Sequence, residues 1–156
     1  MSVKSQFFKK LQARQPAPVS FTSKTQADIA EFRLRMEHIR EQMSGWLAGT
    51  GLETGMFTVS VTDLLVEGGA FDISGIILRV DDRTVKFVPV FLYGQSVTGC
   101  VEATFHDGEH LTPLGRLFMR SGTVNDWTFA PPGALTRAEN SFNENTFFGL
   151  ILSLLP

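Results

Sequence analysis

The sequence predicts an α+β fold in which a long N-terminal helix packs on a curved antiparallel meander of five or six strands, closed by a C-terminal helix. Three observations support this. Between Ile29 and Trp46, apolar residues recur every three or four positions, the period of a one-sided helix. From residue 56 to 130 the period becomes two and turn-forming residues recur, which is typical of a meander. The segment 144–155 is rich in leucine and follows a helix-capping asparagine, so we expect a helix there, with a buried strand as the alternative.

A chain of 156 residues predicts one domain, which we place at residues 23–156, after a basic arm and linker at residues 1–22. Residues 1–27 hold five basic and no acidic residues, whereas the remainder holds nine basic and sixteen acidic ones. Within the arm, residues 3–15 have the pattern of a short basic amphipathic helix, and Pro16 and Pro18 predict a stiff linker. The arm is expected either to be solvated or to dock on an acidic surface.

The first long helix is predicted to begin near Ser23 or Thr25. Its apolar stripe indicates packing on the sheet, with a dimeric coiled-coil seam as the alternative. The stripe consists of Ile29, Phe32, Met36, Ile39, Met43 and Trp46.

Six strands follow from the alternation and the turn signals. They are predicted at residues 56–66, 70–80, 84–92, 97–105, 111–120 and 124–129. In the second strand the apolar positions change from odd to even at Gly75, which predicts a β-bulge there. In the third, Pro89 lacks a ladder donor, which predicts an edge or an irregularity.

The stretch TFHDGEH, residues 104–110, raises the question of a metal or acid–base site. The apolar residues on both sides fall on odd positions, so they share a face only if the loop between the two strands has an odd number of residues. A three-residue loop, His106 to Gly108, with a bulge at Gly108 meets this requirement and predicts an ordinary hairpin. Glu102 and His110 then lie on the polar face, where Glu102 is the third ligand candidate for a metal held by His106 and His110.

Two segments could supply an interface. In the last helix, Phe147, Leu150, Ile151 and Leu154 form one apolar face. A second apolar face consists of Phe148, Leu152 and Leu155, which predicts burial either inside the domain or against a second copy or a partner. Trp127 precedes a Pro-Pro-Gly turn and is predicted to be either a core residue or an interface anchor.

Other chemistry is not indicated. The paired acids Asp81 and Asp82 suit a tight turn, no phosphate-binding glycine loop or nucleophile elbow occurs, and a nucleophilic role for Cys100 lacks a neighbouring base. We therefore expect neither a cofactor nor a metal, and the acidic body argues against nucleic acid. The absence of a secretory or membrane-spanning pattern, together with a single cysteine, indicates a cytoplasmic protein.

These observations favour a non-enzymatic, intracellular, protein-binding accessory module of the chaperone, adaptor or immunity kind that associates with itself. One alternative is a binder of a small apolar ligand in a pocket between sheet and helices. The other is a metal-dependent enzyme that uses the hairpin of His106 and His110. The sequence alone does not name the partner or the ligand.

Overall fold

Among the described residues, a seven-stranded antiparallel sheet packs against two helices, and residues 3–7 form a further short helical segment. The computed structural model describes residues 2–7, 16–63, 66, 69–94, 97–119, 127–132 and 140–155. In chain order the elements are α1 (Pro16–Trp46), β1 (Gly55–Thr62), β2 (Ala70–Val80), β3 (Arg83–Gly94), β4 (Val97–His106), β5 (Leu111–Phe118), β6 (Thr128–Ala130), β7 (Asn140–Ser141) and α2 (Glu144–Ile151), followed by a 3₁₀ turn (Leu152–Leu154).

Each strand pairs with the next one along the chain, so the sheet order is β1 to β7 without a crossover. This confirms the predicted α+β meander with a long helix and a closing C-terminal helix. The two-residue strand β7 was not predicted. The structure has β6 at Thr128–Ala130, and residues 124–126 of the predicted sixth strand lie outside the described residues.

Helix α1 begins at Pro16, earlier than the predicted start near Ser23 or Thr25. The two prolines therefore belong to its first turns rather than to a linker. The first N–H groups of a helix have no acceptor within the helix, so a proline in the first turn removes no hydrogen bond. Of the predicted arm helix, residues 3–7 are helical, and residues 8–15 lie outside the described residues.

The apolar stripe of α1 is buried on the sheet. Its members Ile29, Phe32, Met36, Ile39 and Met43 belong to one continuous core with residues of β2, β3, β4 and β5. The predicted packing of the stripe on the sheet is therefore confirmed.

Proline interrupts the ladder where expected. The register of β3 with β4 shifts between Pro89 and Phe91, and the pairing of β3 with β2 does not extend past the pair of Phe87 with Ile76. The predicted irregularity at Pro89 is confirmed.

The bulge predicted at Gly75 is absent, because β1 and β2 pair without a register shift from one end to the other. The change of apolar phase coincides instead with the place where β2 parts from β3, just before Ile76. Phe71 and Ile73, on the part of β2 that pairs with β1 alone, still belong to the main core.

Candidate functional site

Helix α2 begins with the predicted cap. The Thr146 backbone N–H donates to Asn143 Oδ1 over 3.0 Å, which satisfies one of the donors left free at a helix start. Phe142, just before the cap, lies with its ring centroid 6.4 Å from that of Phe147. This contact is a hydrophobic staple, which fixes the angle at which the chain enters the helix.

The buried face of α2 closes the core. Phe147 is fully buried, and its ring centroid lies 5.3 Å from that of Trp46 on α1 and 6.4 Å from that of Phe87 on β3. All four residues of the first predicted apolar face, Phe147, Leu150, Ile151 and Leu154, are buried. This face therefore joins both the long helix and the sheet.

The second predicted face stays at the surface. Leu152 is 66% exposed and Leu155 is 58% exposed, while Phe148 is half-buried against Phe147. We call these three residues the C-terminal apolar surface. Covering a fully exposed leucine contributes about 1.5–3 kcal/mol, so two leucines left in water mark a place where association is favourable.

The backbone under this surface is held in place. The Arg83 guanidinium donates to the Ser153 carbonyl over 3.4 Å, and the Leu155 N–H donates to the Leu152 carbonyl over 3.1 Å. Because both leucines sit on a pinned turn, their side chains are presented in a preorganised position, which lowers the entropic cost of binding.

Leu111 extends the same end of the protein. Arg83 starts β3, Thr84 pairs with His106 on β4, and His106 pairs with Leu111 on β5. Leu111 is 55% exposed, so apolar side chains occur on both the strand ends and the 3₁₀ turn at this end of the sheet.

Trp127 lies elsewhere. It is 4% exposed, and its ring centroid is 6.3 Å from that of Phe32 on α1. Of the two alternatives for this residue, the structure gives the core position, and Trp127 is not part of the C-terminal apolar surface.

The hairpin of β4 and β5 differs from the predicted geometry. His106 pairs with Leu111, so the loop has four residues, 107–110, rather than three. The Asp107 carboxylate caps it by accepting the backbone N–H groups of His110 over 2.8 Å and of Glu109 over 3.2 Å, and these bonds lower the pKa of that carboxyl group.

The offset that the apolar residues require arises farther along. Ala103 pairs with Gly115 while Thr104 pairs with Pro113, so Leu114 is the extra residue of a bulge. Gly115 has a φ of 144°, which favours glycine at this position. The parity inferred from sequence is confirmed on the far side of the bulge, where Val101 pairs with Leu117. Between the bulge and the loop it is wrong, because Phe105 pairs with Thr112 and His106 with Leu111, and the predicted position of the extra residue in the loop is wrong as well.

The polar cluster does not assemble into a site. Glu102 forms an ion pair with Arg116, its partner on β5, at 3.3 Å between Oε2 and Nε, and His110 lies against Asp107 in the exposed loop. Among the residues that the structure describes, no three His, Cys, Asp or Glu side chains come together in a way that could hold a metal ion.

Cys100 is buried on β4, and burial raises the pKa of its thiol to about 12. The neutral thiol therefore dominates at neutral pH, whereas a nucleophilic cysteine requires the thiolate.

A groove between α1 and the β1–β2 hairpin was not predicted. Its volume is ≈ 590 Å³, and Met36 and Ile76 contribute core residues to its lining. Leu34 on α1 and Met56 on β1, which are 52% and 51% exposed, also line it. The signal available in the sequence was Leu34 itself, an apolar residue between the charged residues Arg33 and Arg35 outside the stripe.

The enclosed space between α1 and the sheet offers no room for a ligand. It is bounded by core side chains that include Met36, Phe87 and Trp127, and it is too small to admit a water molecule. The apolar-ligand hypothesis therefore gains no support from this space.

No protein-family model, curated protein or solved structure matches this chain. The helices within the described ranges are too short or too polar to cross a bilayer.

Proposed function

We propose that this protein is a non-enzymatic intracellular protein-binding accessory module, of the chaperone, adaptor or immunity kind, and that it associates with itself through the C-terminal apolar surface. The observation that carries this proposal is the exposure of Leu152 and Leu155 on a turn whose backbone is pinned to Arg83. The neighbouring Leu154 is buried in the core, so this end of the chain does pack leucine side chains inside the domain. The two that remain exposed supply the apolar centre that protein interfaces require.

The hairpin, the buried thiol and the closed interior support a non-enzymatic role. Glu102 is engaged by Arg116, Asp107 caps the loop backbone, and the Cys100 thiol is held neutral. Each of these groups has a structural partner or environment that accounts for it.

The test is the mass in solution of the full chain and of Leu152→Glu/Leu155→Glu, measured by light scattering over a range of concentrations. We expect the wild type to exceed the mass of one chain and the variant to lose at least one copy, because a carboxylate in an apolar contact is left unpaired. Gln26→Glu/Gln42→Glu adds the same charge at two exposed positions of α1 and is expected to keep the wild-type mass.

A strict monomer at all concentrations contradicts self-association. An unchanged mass for Leu152→Glu/Leu155→Glu, with circular dichroism like that of the wild type, contradicts the assignment of this surface.

A further inference from the structure

The two edges of the sheet are very different. One edge is β7, which has two residues, and the other is β1, which has eight. Natural proteins protect an edge strand with lysine, proline, a bulge or short length, because its free N–H and C=O groups pair readily with another strand. The sequence of β1, GMFTVSVT, has no charged residue and no proline, and its pairing with β2 has no bulge.

One face of β1 is also open. Met56, Thr58, Ser60 and Thr62 alternate along the strand and are all exposed, while the residues between them are half-buried or buried. Met56 and Thr58 line the groove beside α1, opposite the exposed Leu34. Within the part of the chain that the structure describes, β1 therefore has an unpaired edge next to an unfilled apolar groove.

The charges along the groove are balanced. Arg33, Glu37 and Arg40 on α1 and Asp72 on β2 line it, two cations with two anions. A strongly charged partner gains little from such a surface, whereas a surface related to itself by a two-fold axis can bring each cation opposite an anion. The self-complementary charge points to a second copy of this chain as the occupant.

We propose that β1 pairs antiparallel with β1 of a second copy, around a two-fold axis at Val59, so that two sheets join into one. This contact is separate from the C-terminal apolar surface and goes beyond the proposed function. It places the two grooves, each lined by its own Met56 and Leu34, on either side of the joined edge.

The register follows from the faces of the strand. Directly opposite residues of an antiparallel pair share a face, so residues of the same parity must meet. Pairing around Val59 places Phe57 opposite Val61 of the second copy, an aromatic and β-branched pair of the kind that stabilises sheets. It also places Thr58 opposite Ser60 of that copy.

The charges agree with this register. The Arg33 guanidinium donates to the Asp72 carbonyl over 2.7 and 2.9 Å, and Asp72 pairs with Ser60, so Arg33 lies level with Ser60. A helix rises about 1.5 Å per residue and a strand about 3.3 Å, so Glu37 lies about two strand residues away, level with Thr58. The two-fold axis then sets Arg33 of one copy on the same level as Glu37 of the other.

The experiment uses opposite charges at the two exposed positions of β1. Thr58→Lys/Ser60→Lys and Thr58→Glu/Ser60→Glu each place like charges directly opposite one another across the joined edge. We expect each variant alone to lose the β1 contact. Its dissociation constant for self-association is then at least about tenfold higher than that of the wild type. An equimolar mixture of the two is expected to recover the wild-type mass in sedimentation velocity, because lysines then face glutamates.

Gln26→Lys/Ala27→Lys, which adds the same charge at exposed positions of α1 outside the groove, is the matched control and is expected to keep the wild-type mass. Circular dichroism and thermal unfolding establish that the variants are folded. Unchanged mass in both charged variants overturns the proposal. Loss of mass without recovery in the mixture also overturns it, because general destabilisation, or a contact of β1 with a different surface of the second copy, gives that result.

The two surfaces are distinguishable. Combination of Leu152→Glu/Leu155→Glu with Thr58→Lys/Ser60→Lys is expected to give a single chain, while each pair alone leaves the other contact. If only the leucine variants change the mass, the β1 proposal fails and the proposed function stands; if only the β1 variants do, the reverse holds.

Discussion

The ring of Phe57 lies across Gly75, its direct partner on β2, so closely that the glycine has no room for a side chain. A Cβ atom built on Gly75 would lie 2.5 Å from Phe57 Cζ and 2.9 Å from the Phe87 carbonyl oxygen. The same ring has the Lys86 ammonium 5.6 Å from its centroid. Because Gly75 has no side chain, the Phe57 ring of β1 can pack directly on the backbone of β2, next to the point where β2 stops pairing with β3.

Gly75→Ala is expected to lower the free energy of unfolding by about 1–3 kcal/mol, because the ring of Phe57 must move and the backbone carbonyl cannot. Chemical denaturation measures this. Gly45→Ala in α1 is the matched control, since nothing lies within 4 Å of its Cβ position. It is expected to be neutral or to stabilise by up to about 1 kcal/mol. Equal effects of the two substitutions would contradict the close packing of Phe57.

Asn143→Ala removes the cap of α2 and is expected to cost about 1 kcal/mol of stability, because the Thr146 N–H loses its acceptor. Asn145→Ala, two residues farther on and exposed within the helix, is expected to be neutral or slightly stabilising. Urea titrations of both variants test the difference. A loss as large for Asn145 as for Asn143 would show that the cap is not the cause.

Tyr93 is the single tyrosine of the chain, so its ionisation can be followed by the absorbance of the phenolate. Its hydroxyl donates to Asp28 Oδ2 over 2.6 Å, and burial together with this bond raises the pKa of Tyr93 from 10.0 to about 12. A group whose folded pKa is raised contributes its stability below the unfolded value and loses it as the pH rises through the folded one. Stability is therefore expected to fall between pH 10 and about pH 12 as Tyr93 ionises.

Tyr93→Phe serves as the control for that titration. It is expected to lose about 1–3 kcal/mol at neutral pH, because the buried Asp28 loses a donor, and to lack the tyrosine contribution to the fall above pH 10. A phenolate that forms near pH 10 in the folded wild type would contradict the raised pKa of Tyr93.

Cys100 is expected to resist thiol reagents in the folded protein and to react fully once denaturant is added, because burial raises the pKa of its thiol to about 12. A colorimetric thiol assay measures both rates. Thr112→Cys in a Cys100→Ala background puts a thiol at an exposed position and is expected to react at the rate of a free cysteine. Rapid modification of folded wild-type protein would contradict the burial of Cys100.

Much of the fold was predictable because the spacing of apolar residues along each helix and strand is a local property of the sequence. The strand at residues 70–80 was predicted with the bounds that the structure has, and the two faces of the last helix separated as their spacing indicated. Spacing alone, however, does not state which face meets solvent. That depends on how much space the sheet leaves, which is why the exposure of Leu152 and Leu155 became clear only in the structure.

The hairpin shows where sequence reasoning fails. The odd positions of the apolar residues require one extra residue between β4 and β5, and either a three-residue loop or a bulge provides it. The loop TFHDGEH contains a glycine suited to the first solution, but Gly115 at the bulge, with its positive φ, provides the second. The pairing of Val101 with Leu117 has the same parity wherever the extra residue lies between them, so parity does not locate that residue.

The groove was missed for a different reason. It depends on the distance at which α1 packs beside β1, which the spacing of residues within either element does not determine, and one exposed leucine, Leu34, was the local sign of it. The start of α1 at Pro16 was missed because proline usually ends a helix. In the first turn of a helix, however, proline is tolerated, so its effect depends on its position.

The contact of Trp46 with Phe147 has a consequence for how the molecule folds. Every strand pairs with its immediate successor, so the sheet can form by successive hairpins that close short loops, which favours rapid assembly. The aromatic cluster of Trp46, Phe87 and Phe147 includes residues of both α1 and α2, and Phe147 lies on α2, which follows all seven strands in the chain. During synthesis the strands would therefore be complete before Phe147 packs against the core. In a ribosome-bound chain stalled before residue 147, Trp46 and Phe87 would lack this contact and be accessible to chaperones.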